Sequence, residues 1–195
     1  MAQLLVVVFR FNLYYMKRIL LRALFMSAIC STSAQSSKNV EKGLLKVNAF
    51  IPGISYELGV GNTSTFNFDA LLIPGGGTNF NEDPEFGLFY GFQAEYRYFT
   101  NLNRRLSKMK NIEGNSGNYI ALNNQIYSGR PLIGDYYLNY SYNHIVAMTY
   151  GIQRTRSKGF YWNVSFGPGV FITESDLGAT LMLDLKLGWV VKKNI

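Results

Sequence analysis

Apolar and polar residues alternate along much of the chain, and the clearest example lies near its end. Across residues 180–191, leucine, tryptophan and valine occupy every second position, whereas Asp184 and Lys186 stand on the opposite parity. A period of two predicts an extended strand, because successive side chains point to opposite faces of a sheet. The pattern suits either a soluble sheet with its charges in water or a membrane barrel with its apolar face in lipid.

Eight segments have a strand-like pattern, and Gly, Asn, Pro and Ser occupy the gaps between them. They are residues 44–50, 54–61, 65–73, 87–99, 118–127, 143–153, 159–171 and 179–191. An even number of strands, several near ten residues long, is typical of the smallest outer-membrane barrels, in which closure removes both sheet edges. We therefore predict an all-β fold, an eight-stranded antiparallel up-and-down transmembrane β-barrel.

The parity of the strands assigns seven charged side chains to the interior of this barrel. They are Lys46, Glu57, Asp69, Glu95, Arg97, Asp184 and Lys186. Side chains fill the lumen of an eight-stranded barrel, and three positive charges nearly balance four negative ones. Buried charges must be paired or hydrated. We therefore predict that the seven form a structural polar plug; the alternative is a small ion path lined by the same groups.

The charges of the gaps alternate in sign when both termini are placed in the periplasm. The outer gaps, 52–53, 74–86, 128–142 and 172–178, carry six acidic residues against one basic residue, and the inner gaps carry seven basic residues against one acidic. This segregation supports an up-and-down topology across a membrane. The inner gap 100–117 is long for a periplasmic turn. It suits a basic hairpin with a short helical turn, or a surface that docks an acidic partner or phosphate head groups.

The first 35 residues have the pattern of an export signal. The basic pair Lys17-Arg18 precedes an apolar stretch, residues 19–29, which is shorter than the roughly 20 residues of a spanning helix. Small residues follow, and they predict cleavage after Ala34 or Gln35. The alternative is an N-terminal membrane anchor.

Cleavage would leave one domain, residues 36–195, without cysteine, because Cys30 is the only cysteine of the chain. Neither disulfide nor thiol chemistry would then be available. Residues 1–15 precede a second methionine, Met16, and are consistent with an over-extended gene start.

The net charge of +7 falls to +3 in the mature domain, because four of the 19 basic residues and none of the 12 acidic residues lie in the leader. This balance argues against nucleic-acid binding, since no basic stripe interleaves with stacking aromatic residues. A single histidine without cysteine also argues against a structural zinc site. We expect no cofactor.

His144 is the only histidine, and therefore the only imidazole that could act in a His–Ser pair such as outer-membrane lipid A deacylases use. A base must reach its nucleophile within hydrogen-bonding distance. Val146 stands two residues after His144, and Ser141 precedes it in a loop. Parity places His144 on the lipid-facing side, so we predict that the protein is not an enzyme.

Two loop features suggest ligand binding more weakly. Glu82, Asp83 and Glu85 could bind a divalent cation that bridges lipopolysaccharide phosphates. We regard these three residues as a weak candidate for a surface cation site. Residues 75–77 are all glycine, but a phosphate loop would need a helix start and a suitable lysine after them. We interpret them as part of a flexible outer loop.

Short strings of sequence carry a resemblance to a known group of proteins. They are Ser33-Ala34-Gln35, Leu45-Lys46-Val47-Asn48, Ile54-Ser55-Tyr56-Glu57, Glu95-Tyr96-Arg97-Tyr98-Phe99, Asn101-Leu102-Asn103-Arg104-Arg105-Leu106 and Ser116-Gly117-Asn118-Tyr119. The chain resembles the small outer-membrane β-barrel proteins common in Bacteroidota, with the architecture of OmpA/OmpW-like eight-stranded barrels. The resemblance implies a Gram-negative outer membrane as the location, and the barrel-assembly machinery as a partner during biogenesis.

We expect a structural or surface-interaction protein, surrounded as a monomer by outer-membrane lipid and lipopolysaccharide, with acidic, tyrosine-rich loops at the cell surface. One alternative is a narrow channel or carrier for small hydrophobic compounds, which the OmpW resemblance allows. Another is a soluble periplasmic ligand-binding barrel of lipocalin type.

Overall fold

A computed structural model describes residues 39–77 and 84–193. Most of these residues belong to antiparallel strands. The strands are β1 Gly43–Asn48, β2 Gly53–Gly59, β3 Ser64–Gly77, β4 Glu85–Phe99, β5 Gly117–Ser128, β6 Ile133–Gly134, β7 Tyr142–Thr155, β8 Phe160–Ile172 and β9 Leu177–Lys193. One short α-helix, α1 Leu102–Ser107, and a 3-10 turn, Ser157–Gly159, lie between strands at one end of the sheet.

Eight of the strands form a closed ring. Around the ring the order is β1, β2, β3, β4, β5, β7, β8 and β9, and every neighbouring pair is antiparallel. β9 closes the ring by pairing Trp189 with Val47 of β1 and Gly188 with Asn48. Because every strand of the ring has two partners, the sheet has no free edge. The prediction of an all-β antiparallel fold from the period-two pattern is confirmed.

β6 is a two-residue strand that the sequence pattern did not predict, in a segment expected to be loop. It pairs Ile133 with Leu88 and Gly134 with Gly87 of β4. The first residues of β4 extend beyond β5, whose pairing with β4 starts at Gly91. β6 therefore supplies backbone partners to a stretch of β4 that β5 does not reach.

The glycine run is part of a strand, so its interpretation as a flexible loop was wrong. Gly75, Gly76 and Gly77 lie in β3 and pair with residues 85–87 of β4. The β3–β4 hairpin thus extends beyond the predicted strand ends, and it carries Glu85 into β4 as its first residue.

The two faces of the ring differ sharply in polarity. Leu183 and Phe92, on the outer face, are 75% and 59% exposed, whereas Glu95 and Asn163 on the interior face are completely buried. A soluble protein usually has the opposite arrangement, with Leu and Phe inside and charged residues outside. This inversion follows directly from the parity of each strand.

The ring has two ends, which we name by their contents. The helix end comprises residues 39–42, 60–63, 100–116 and 156–159, and the loop end comprises residues 49–52, 84, 129–141 and 173–176.

A small apolar core lies at the helix end. It contains Val40, Phe99, Leu102, Tyr119 and Ala121. Leu102 comes from α1, at the position where the sequence predicted a short helical turn, and its burial shows that the long inner gap folds back onto the ring.

Hydrogen bonds attach the second half of this gap to the end of β7. The backbone N–H of Thr155 donates to Ser116 Oγ at 2.8 Å, and Thr155 Oγ1 donates to the carbonyl of Gly114 at 3.1 Å. Gly114 has a φ of 59°, and a Cβ there would lie 2.4 Å from Thr155 Oγ1, so only glycine fits. Residues 100–116 therefore cover the helix end of the interior.

The predicted leader, residues 1–35 with cleavage near Ala34 or Gln35, lies outside the described residues, as does the suggested over-extended start. Over residues 39–77 and 84–193, no helix is both long enough and apolar enough to cross a membrane.

Candidate functional site

The seven charged side chains assigned to the interior by parity all point into the ring. They are Lys46 on β1, Glu57 on β2, Asp69 on β3, Glu95 and Arg97 on β4, and Asp184 and Lys186 on β9. None is more than 6% exposed. We refer to this group as the polar plug.

Glu57 lies at the centre of one half of the polar plug. Lys46 Nζ is 2.7 Å from Glu57 Oε2, and Thr65 Oγ1 donates to Glu57 Oε1 at 2.8 Å. Gln153 of β7 completes the group, because its Nε2 donates to Glu57 Oε2 at 3.1 Å. Its Oε1 accepts hydrogen bonds from Lys46 Nζ at 3.2 Å and from Arg97 Nη1 at 3.0 Å. Both oxygens of this buried carboxylate therefore have partners.

Glu95 and Lys186 organise the other half. Arg97 forms a two-pronged contact with Glu95, with Nε 3.0 Å from Oε2 and Nη2 2.8 Å from Oε1. This is the strong, geometrically specific form of an arginine–carboxylate pair. Lys186 Nζ lies 2.7 Å from Asp69 Oδ2, 3.0 Å from Asp184 Oδ2 and 3.2 Å from Glu95 Oε1.

Two contacts of the polar plug cross the full width of the interior. β2 and β7 are four strands apart in either direction around the ring, yet Gln153 Nε2 and Glu57 Oε2 are 3.1 Å apart. β4 and β9 are also diametrically opposite, yet Glu95 Oε1 and Lys186 Nζ are 3.2 Å apart. Side chains from opposite walls therefore meet in the middle and fill the cross-section at these levels.

The polar plug has three positive and four negative formal charges. Desolvating an ion costs several kcal/mol, and only close pairing with further hydrogen bonds offsets that cost. Arg97 makes such pairing continuous, because Nη1 also lies 3.8 Å from Glu57 Oε2 and so links the two halves. Removing Lys186 would leave Asp69 and Asp184 buried without a cation within 4 Å among the described residues.

Two tyrosines extend the polar plug. Tyr119 of β5 is fully buried inside the ring. Its ring centroid lies 4.8 Å from the Arg97 guanidinium carbon, and its hydroxyl donates to Asn163 Oδ1 at 2.7 Å. Tyr161 of β8 likewise lies 5.1 Å from Lys46 Nζ.

The wall formed by β5, β7 and β8 is neutral, and several of its polar atoms have no partner. Thr149 Oγ1, Ser165 Oγ and both amide atoms of Asn123 are buried without a hydrogen bond to any described residue. Small residues such as Ala121 and Ala147 lie beside them. The charged contacts of β1 to β4 and β9 thus face a neutral wall, which carries both these incompletely bonded groups and the larger side chains of Tyr119, Gln153 and Tyr161.

The candidates for catalysis and metal binding are not brought together. His144 Nε2 is 2.9 Å from Asn124 Oδ1, whereas Ser141 donates its backbone N–H to Glu174. Of the weak cation site, Glu85 begins β4, whereas Glu82 and Asp83 lie outside the described residues. Among residues 39–77 and 84–193 no group of three or more His, Cys, Asp or Glu side chains could hold a metal ion.

A cleft of about 490 Å³ lies at the loop end. Its lining includes Arg130, Tyr137, Tyr140 and Glu174. Hydrogen bonds from its own backbone N–H and from Ser141 hold the pKa of the exposed Glu174 carboxyl below its usual value. The backbone N–H of Ser141 lies 3.0 Å from Glu174 Oε1, so this contact joins the 129–141 and 173–176 loops.

A second pocket, of about 250 Å³, lies at the helix end and is strongly basic. Five cationic side chains line it: Arg104, Arg105, Lys108, Lys110 and Arg154. We refer to it as the basic pocket.

No protein-family model, curated protein or solved structure matches this chain.

Proposed function

We propose that this chain is an outer-membrane β-barrel protein of a Gram-negative bacterium, with a structural or surface-interaction role and no catalytic activity. The observation that carries the proposal is the inverted polarity of the closed sheet. Leucine and phenylalanine cover the outside, while seven charged side chains are buried inside. In water such a face would be a very large exposed apolar patch, but in a bilayer it is the lowest-energy arrangement.

Aromatic residues on the outer face support the same proposal. Tyr98, Trp189 and Tyr150 are exposed near the helix end, and Tyr90 and Tyr142 are exposed near the loop end. Tyrosine and tryptophan favour the two membrane–water interfaces, because their rings are partly apolar and also form hydrogen bonds. The apolar belt between these two groups would then match the hydrocarbon core.

The cross-lumen contacts favour a structural role for the polar plug. The Glu57–Gln153 and Glu95–Lys186 contacts join opposite walls, and residues 100–116 cover the helix end. The interior also does not support a lipocalin-type apolar ligand site, because charged side chains line it.

The role in the envelope would then rest on the surfaces of the barrel, including the tyrosine-lined cleft at the loop end. Its surroundings would be outer-membrane lipid and lipopolysaccharide, reached with the help of the barrel-assembly machinery.

A narrow channel is a second candidate, and the neutral wall is the observation that favours it. Unpartnered atoms of Asn123, Thr149 and Ser165 form a polar strip along one side of the interior. Single-channel recordings in planar bilayers test this candidate. Conductance that rises in a Lys186→Met variant would support it, whereas electrically silent wild-type and variant proteins would exclude an ion path.

Cell fractionation tests the main proposal. We expect the full chain to sediment with the outer membrane, to resist extraction by carbonate, and to migrate faster on gels before boiling than after. Release of the protein by osmotic shock, with one mobility at both temperatures, would contradict the proposal.

A further inference from the structure

We propose that the basic pocket binds the phosphate of an anionic phospholipid in the membrane leaflet next to the helix end. This inference rests on the membrane location proposed above, and it adds a specific lipid site to a general lipid surface.

The basic pocket concentrates positive charge that the protein does not neutralise. None of its five cations lies within 4 Å of a carboxylate among the described residues, although Lys193 at the same end pairs with Glu113. Residues 1–38 contain no acidic residue, and the two acidic residues outside the described ranges, Glu82 and Asp83, lie in the sequence between β3 and β4. Five like charges around one pocket repel one another, so a bound anion would stabilise this arrangement.

Hydrogen bonds to two backbone carbonyls and one side-chain amide hold two guanidinium groups in place at this pocket. Arg105 donates from Nε at 3.1 Å and from Nη2 at 2.6 Å to the carbonyl of Asn111. Arg154 donates from Nη1 to the carbonyl of Gln153 at 2.7 Å and from Nη2 to Asn118 Oδ1 at 2.6 Å. Each guanidinium has five N–H donors, so three on each remain without a protein acceptor in the described residues. Preorganised arginine donors of this kind suit phosphate oxygens.

The position of the basic pocket indicates a lipid phosphate rather than a soluble one. Arg154 shares the outer face of β7 with Tyr150 and Ile152, and it pairs with Trp162 of β8. Tyr150 accepts a hydrogen bond from Asn118 Nδ2, another residue that lines the pocket. If the phosphate of a lipid lay in the pocket, the glycerol of that lipid would lie at the level of the exposed aromatic residues. Its acyl chains would then contact the apolar outer face.

The basic pocket has room for a phosphate group. At roughly 30 Å³ for each water molecule, its volume corresponds to about eight waters.

Native mass spectrometry of the full chain in non-ionic detergent tests the inference. The protein is titrated with phosphatidylglycerol or with phosphatidylcholine of the same acyl chains, which differ in net headgroup charge. Each nearby Lys or Arg is worth about a fivefold gain in binding of an anionic lipid. We therefore expect phosphatidylglycerol to bind at least about fivefold more tightly than phosphatidylcholine.

The test variant is Arg104→Gln/Lys108→Gln, because both side chains are exposed and make no hydrogen bond to the described protein, and glutamine is a good helix former. The matched control is Lys42→Gln/Lys192→Gln, which removes the same charge from exposed positions outside the pocket. We expect most of this preference to be lost in the test variant, and we expect it to stay within about twofold of wild type in the control.

Four outcomes would overturn the inference, and the first three can be told apart from failure of the proposed function. Equal binding of the two lipids, or equal losses in test and control variants, would exclude the site while leaving the membrane location intact. Displacement of the lipid by millimolar inorganic phosphate would identify a free anion as the ligand. A chain that stays soluble without detergent would contradict the proposed function and this inference together.

Discussion

The outer face and the interior of the ring differ as the core and surface of a soluble protein do, but with the positions exchanged. Leu181 and Leu183 of β9 are exposed, while Asp184 and Lys186 of the same strand are buried. The same strand therefore contributes to both regions, and only the parity of a residue decides its environment. The difference teaches that apolar side chains cover the exterior of the ring, whereas the interior pairs charges.

We expect the largest loss of stability from a substitution in the interior, at the arginine that joins the two halves of the polar plug. Arg97→Met would leave Glu95 and Glu57 buried with fewer cationic partners, at a cost of about 3–5 kcal/mol in unfolding free energy. Urea unfolding of protein folded in phospholipid vesicles measures this cost. Arg130→Met, in a loop, should change it by less than about 0.5 kcal/mol. Equal effects of the two substitutions would show that the interior pairs contribute little.

We expect the next largest loss of stability from a substitution on the outer face. Leu183→Arg places a charge near the middle of the apolar belt and should cost about 2–4 kcal/mol if that belt is in lipid. Leu177→Arg, at the loop end of the same strand, should cost about 0–1 kcal/mol, because the midplane penalty fades toward the interface. The same unfolding assay compares them. Changes below about 0.5 kcal/mol at both sites would indicate that the belt faces water.

A smaller effect tests how tightly the interior is packed. A Cβ at Gly151 would lie 2.2 Å from Cζ of the buried Tyr119, whose hydroxyl is bonded to Asn163. Gly151→Ala should therefore cost about 1–3 kcal/mol through overpacking. Gly61→Ala is the control, since a Cβ there meets no atom closer than 3.5 Å. The interior is looser than described if the two variants unfold at the same urea concentration.

We expect the smallest effect at the loop end, where a change of pH should alter the contact between two loops. The pKa of Glu174 is depressed in the folded protein, so the stabilisation it provides is present above the ordinary glutamate pKa and is lost as pH falls through the lower folded value. Lowering the pH through that range, or the substitution Glu174→Gln, should loosen its contact with Ser141. Limited proteolysis of residues 129–141 should speed up, while the urea midpoint of global unfolding stays unchanged. Unchanged cleavage in both cases would contradict this link between the loops.

The sequence predicts the eight long strands to within a few residues, because the apolar period of two is strong wherever one face is apolar and the other polar. β6 could not be predicted, since two residues carry no period. The environment of Tyr119 could not be predicted, because β5 has polar residues on both faces, with Asn123 and Asn124 in succession. In such a strand the pattern does not identify the apolar face.

The parity of each strand predicts which charged residues belong to the polar plug, but it does not predict which of them form pairs. Which residues meet depends on the register and on which strands are opposite, as with Glu57 and Gln153. Gln153 was not identified from the sequence because a neutral amide gives no charge signal. Its parity on β7, shared with Thr149 and Thr155, was the only available indication.

Spin-label accessibility on β9 tests the central claim, that the outer face of the ring contacts lipid, most directly. A nitroxide is attached at Leu183→Cys, with Asp176→Cys in the loop as the aqueous control, both in a Cys30→Ser background that removes the only native cysteine. In reconstituted bilayers we predict that oxygen relaxes the label at position 183 far more than a water-soluble nickel chelate does, and that position 176 shows the reverse. Nickel-dominated relaxation at both positions would contradict the account.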